Sequence, residues 1–175
     1  MKISFVIPSW HYWSDPFKLQ PLWELYYATQ LFYASKSWDV TILDLRQKES
    51  DSPFKDQVMK LPERDCYIYW IMKSGDAVEI SSIVKLLREI YPNAKHVAGG
   101  THVDMCTTEC ENIFDSVICG PGEQSLVKAI KDISNDNLKI KYIMDYAQQS
   151  FSDTPFPLRE FLPKESIVNN DLFQQ

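Results

Sequence analysis

The sequence predicts an α/β domain built on a parallel sheet. Three observations carry that prediction. Short β-branched and aromatic runs alternate with stretches of helical apolar spacing. The run Cys66-Tyr67-Ile68-Tyr69-Trp70-Ile71-Met72 is apolar on both faces, as a central parallel strand requires. Glycine turns follow the fourth and fifth strand runs, at Gly99-Gly100 and at Gly120-Pro121-Gly122.

The elements follow in order. Ile3–Ile7 reads as a buried strand ended by Pro8, followed by a long loop, 9–18, that carries Trp10, His11, Tyr12, Trp13 and Asp15. Leu22, Leu25, Tyr26, Thr29, Phe32 and Tyr33 recur at helical spacing, and Pro21 suits a first helical turn because its missing N–H costs nothing there. Residues 39–45 give the second strand, with Asp44 at its end, and 46–64 form a polar connection with room for one short helix. After strand three, Val78, Ile80, Ile83, Leu86, Leu87 and Ile90 predict a helix over 77–91 that Pro92 stops. His96–Ala98 is strand four, a short helix is expected over 106–114, and Ser116–Cys119 is strand five. The next helix runs from about 124 to 133, and 139–144 is available as an added edge strand.

Strands that alternate with helices imply βαβ crossovers that cover both faces of the sheet. The expected architecture is therefore a doubly wound, five-stranded parallel sheet of order 2-1-3-4-5, flavodoxin-like or Rossmann-like, with its ligand crevice at the strand C-terminal ends. Residues 1–150 are assigned to this domain, and 151–175, which contain Asp153-Thr154-Pro155-Phe156-Pro157-Leu158, to an extension or linker.

Composition narrows the function classes. The 175 residues are 45% hydrophobic and 24% charged, a globular balance. A net charge of −6 with scattered basic residues argues against nucleic acid as a partner, since phosphate contacts need clustered Lys and Arg. No run approaches the ~20 apolar residues of a membrane helix. The opening Met1–Ile7 is too short for a signal peptide and lacks a small-residue cleavage site. A cytoplasmic protein is expected, with Cys66, Cys106, Cys110 and Cys119 as reduced thiols.

Three loops on one rim of the sheet are the candidate site. Gly99-Gly100-Thr101-His102 bares the backbone where a strand meets its loop, either as a plain tight turn or to admit a ligand. Gly120-Pro121-Gly122-Glu123 stands before a helix, whose free N–H groups suit an anion or polar ligand; the plain reading is helix entry with a first-turn carboxylate. The aromatics of loop 9–18 either cap the core or line a pocket for a large flat ligand. His11 is the candidate metal ligand of that loop, and His102 is assigned to polar contact or structure. Cys106 and Cys110 lie four apart, but no second Cys or His pair completes a zinc site. A Cys106–His102 catalytic pair has no third residue in support. The Gly-x-Gly-x-x-Gly and Gly-x-x-x-x-Gly-Lys-Ser/Thr phosphate loops are absent, as is an acidic pair after strand one.

Val97-Ala98-Gly99-Gly100-Thr101-His102 followed by Phe114-Asp115-Ser116-Val117-Ile118-Cys119-Gly120-Pro121-Gly122-Glu123 resembles the cobalamin (B12)-binding domain found N-terminal to many radical S-adenosylmethionine (SAM) enzymes. Ile7-Pro8, Leu43-Asp44 and the proline-rich 155–163 also match that pattern. The resemblance implies a corrinoid across the strand C-termini, its nucleotide tail running beside the sheet. Gly99, Gly100 and Thr101 would border the tail, with Gly120, Pro121, Gly122 and Glu123 on the far side. Lys73, Ser74 and Gly75 would line the cleft, together with Ser9, Trp10, His11 and His102. The Asp-x-His-x-x-Gly axial-histidine motif is missing, and so is the Cys-x-x-x-Cys-x-x-Cys of the iron–sulfur cluster, because position 113 is Ile. No cluster and no catalysis are therefore expected from this chain alone. Its expected role is a cobalamin-binding module that serves a radical SAM catalytic domain or protein for methyl or radical transfer. The competing reading is a non-catalytic interaction domain whose degenerate pocket is filled by loop aromatics. A third is a small hydrolase or transferase that uses His102 and Glu123.

Overall fold

A computed structural model describes residues 1–10, 16–46, 53–148 and 154–162. The strands β1 (Lys2–Ile7), β2 (Asp39–Asp44), β3 (Cys66–Trp70), β4 (Lys95–Gly99), β5 (Ser116–Cys119) and β6 (Lys141–Ile143) form one sheet of order β2-β1-β3-β4-β5-β6. Every neighbouring pair is parallel. The helices are α1 (Leu22–Ala34), α2 (Phe54–Met59), α3 (Ser74–Ile90), α4 (Thr101–Met105), α5 (Thr107–Glu111) and α6 (Gly122–Ser134). Among the described residues no helix is long and apolar enough to cross a membrane.

The sheet has six strands rather than five, because the added edge strand expected over 139–144 forms at residues 141–143, which pair in parallel with Val117, Ile118 and Cys119. Tyr142 explains why so short a segment is held. Its ring is buried, its hydroxyl donates to Asp132 Oδ2 at 2.7 Å, and it accepts the Lys139 N–H at 3.1 Å. That hydroxyl anchors the segment to the end of α6.

Strand alternation sorts the core into two layers. Cys66, Ile68 and Trp70 pack with Tyr27, Ala28, Leu31, Leu126, Ala129 and Ile130 of α1 and α6. Tyr67, Tyr69 and Ile71 pack with Val58, Ile80, Ile83, Leu87, Val103 and Cys110 on the opposite face. All five residues of β3 are buried, as its two-faced apolar run requires.

The short helix expected over 106–114 forms as α5, and the sequence reading lacked α4, which precedes it and is separated from it by a break at Cys106 (φ −122°, ψ 39°). α4 starts immediately after Gly100, whose φ of 100° turns the chain directly out of β4. In the C-terminal stretch, the Leu158 N–H donates to Thr29 Oγ1 at 2.9 Å, and Phe161 meets Phe32 edge-on with ring centroids 5.6 Å apart.

Candidate functional site

The two glycine turns converge. Gly100 and Thr101 from the β4 turn and Gly120, Pro121 and Glu123 from the β5 turn line a single cleft at the strand C-terminal ends. Trp23, Tyr27, Trp70, Met72 and Tyr146 supply its remaining walls.

Each turn holds one glycine demanded by the backbone. Gly100 (φ 100°) would place a Cβ 2.7 Å from the Ile71 carbonyl oxygen, and Gly120 (φ 81°) would drive one into the Met144 carbonyl oxygen. Both conformations lie in the left-handed region where a side chain is strained. The other glycine of each turn is demanded by a ring. A Cβ on Gly99 would overlap the Trp70 indole, and one on Gly122 would overlap the same indole and stand 2.8 Å from the Tyr27 ring. Trp70 and Tyr27 are buried, their centroids 4.1 Å apart, and Trp23 stacks on Tyr27 at 6.3 Å.

The space that the two glycines vacate is therefore filled by the protein's own rings. The cleft that remains is about 140 Å³, below the roughly 300 Å³ at which pockets that enclose a drug-sized ligand begin. In this arrangement the residues do not fit a buried corrinoid tail.

Asp104, which the sequence reading passed over, ties the rim together: its Oδ1 accepts the Gly120 N–H at 2.8 Å and its Oδ2 the Tyr146 hydroxyl at 3.3 Å. Glu123 is the charged group of the cleft. Its Oε1 accepts the Tyr26 hydroxyl at 3.0 Å, while its Oε2 is buried without a hydrogen-bond partner among the described residues. Burial, followed by the Glu123 charge, raises the Tyr27 phenol above its ordinary range, so it is a neutral donor.

The remaining candidates fall elsewhere. The Ser9 N–H and hydroxyl donate to Glu79 of α3 at 2.6 and 2.9 Å. Trp10 (φ 50°) packs its ring on the Arg46 guanidinium at 4.9 Å. Ser74 Oγ is 3.0 Å from His102 Nδ1, and Lys73 and Gly75 are exposed at the start of α3. None of these lines the cleft. His11, Tyr12, Trp13 and Asp15 lie outside the described residues. His102 and Glu123 do not share the cleft, whereas His102 and Cys106 do bring their donor atoms together.

The β1–β2 end of the rim holds a group that sequence reasoning missed. The Arg46 side chain is 0% exposed and bidentate to Asp44, at 2.8 and 2.6 Å. It also donates to the carbonyls of Pro16 and Leu19, and its guanidinium meets the rings of Trp10 and Phe17. Glu24 is buried nearby, where desolvation lifts its carboxyl to about 7 against the opposing pull of Arg46. Trp10 and Phe17 therefore cap a buried charge. The Asp44 at the strand end was a visible clue; its partner two residues on was not.

Comparison with known proteins adds no identity: no protein-family model matches the chain, and no curated protein matches it.

Proposed function

We propose that this chain is a non-catalytic binding module of the cobalamin-domain architecture, whose cleft takes a small ligand in place of a corrinoid. One observation carries the reading. Trp70 occupies the space beside both Gly99 and Gly122, so the glycine turns serve internal packing. The cleft is walled by Trp23, Tyr27, Trp70 and Tyr146, with the unpaired Glu123 oxygen at its edge. Aromatic faces and a lone carboxylate oxygen favour a compact cationic or hydrogen-bond-donating group.

Two measurements test this. After incubation with hydroxocobalamin, the protein should elute from gel filtration with no corrinoid absorbance; retained corrinoid would overturn the proposal. Titration with tetramethylammonium should produce a saturable change in tryptophan fluorescence that Glu123→Gln abolishes. A response that never saturates, or one unaffected by that substitution, removes the cationic ligand class.

A second reading is favoured by the convergence of both turns on one cleft. There, Trp70 and Tyr27 swing out to admit a corrinoid, which a separate radical SAM domain or protein would use. It predicts hydroxocobalamin retention by the unaltered chain and tighter retention by Trp70→Ala.

A further inference from the structure

We propose that His102, Cys106 and Glu109 form a binding site for a divalent transition-metal ion, with Zn²⁺ the best match. Their ligand atoms, one nitrogen, one sulfur and one carboxylate oxygen, all lie within 4.8 Å of one another. The spacing i, i+4, i+7 sets them along one side of the α4–α5 pair. None of the three lines the cleft, so this site stands independently of the ligand proposed there.

The donors differ in stiffness in a useful way. His102 is 7% exposed, and Ser74 Oγ holds its Nδ1 at 3.0 Å, which leaves Nε2 for a metal. A fixed second-sphere partner of this kind orients a ligating imidazole. Cys106 is half-buried and Glu109 is exposed, so both can close the short remaining distance by side-chain rotation. Zinc bonds of about 2.0–2.3 Å place ligand atoms roughly 3.5 Å apart, so the contraction needed is about 1 Å. A thiolate beside an imidazole selects against Mg²⁺ and Ca²⁺, and the exposed side of Glu109 leaves a fourth position for water. On binding, the Cys106 thiol loses its proton to solvent as the sulfur–metal bond forms; no oxidant or reductant is involved. Cys110 is no rival, because its side chain is buried in the core layer that also holds Val103 and Phe114.

Co²⁺ is the direct probe, since a bound thiolate gives a charge-transfer absorption that oxygen and nitrogen ligands do not. The full chain should bind one equivalent of Co²⁺ with that band, and Zn²⁺ should displace it. Cys106→Ser should abolish the band, and Ser74→Ala should weaken metal binding roughly 10–100-fold. Cys119→Ser should retain both band and stoichiometry. Circular dichroism of each variant establishes that it is folded. The site is refuted if the unaltered protein shows no thiolate band, or if the band survives Cys106→Ser.

Discussion

The two halves of the sheet's rim are closed by opposite means. At the β1–β2 end, the rings of Trp10 and Phe17 cover the buried Arg46 guanidinium of the Arg46–Asp44 pair. At the β3–β5 end, four glycines bare the backbone, and rings from α1 and β3 fill the opening. The sequence left the loop aromatics as a cap on the core or the walls of a pocket, and the glycine turns as plain turns or the borders of a shared cleft. The difference teaches that a glycine turn reports where something approaches the backbone, not whether that something is a ligand or a neighbouring side chain.

Substitutions can break each half separately. Arg46→Met should have the largest effect, about 4 kcal/mol in urea denaturation, because it removes a buried guanidinium from its bidentate pairing with the largely buried Asp44 carboxylate. The double variant Asp44→Asn/Arg46→Met should recover most of that loss; no recovery would mean that the guanidinium matters through its ring contacts instead. On the glycine side, Gly120→Ala should cost about 3 kcal/mol, since positive φ and the Met144 carbonyl both oppose a Cβ. A cost below 1 kcal/mol would show that β6 shifts freely.

The pH dependence separates a group at the arginine end from one in the core. Glu24 binds a proton more readily folded than unfolded, so its contribution is full below about 4.5 and is lost as pH rises through about 7. His96 is buried against Tyr69, and desolvation lowers it to about 4. Its contribution is full above 6.5 and is lost as pH falls toward 4. The two oppose each other over the same window. Glu24→Gln should therefore leave stability rising with pH between 4.5 and 7, by about 2 kcal/mol. A flat profile in that variant would contradict the burial of His96. Gly99→Ala should have the smallest effect, about 1 kcal/mol, because the Trp70 ring can tilt where a carbonyl cannot. If it costs as much as Gly120→Ala, the ring is as fixed as the backbone.

Much of the frame was legible because it rests on local pattern. β3 reads as a central strand from its two-faced apolar run, α3 ends just before Pro92, and the crossover order follows from alternation. The convergence of the glycine turns was legible too, since parallel strands put both loops on one rim. Arg46 was not. It stands in a polar connection, and its burial depends on carbonyls at Pro16 and Leu19, some thirty residues away. Asp104 holds Gly120 across sixteen residues and gave no local signal. Glu109 joins the His102–Cys106 pair only because α4 and α5 run on with a single break.

Hydrophobic periodicity and chain punctuation, which act between neighbours, determined from sequence alone that this protein folds as a parallel α/β sheet with its loops gathered on one rim. Tertiary structure alone decided that Trp70 and Tyr27 occupy the space beside the glycines. The missing side chain at Gly99 or Gly122 is a local fact, whereas which distant group enters the gap depends on how α1, β3 and α6 are docked together.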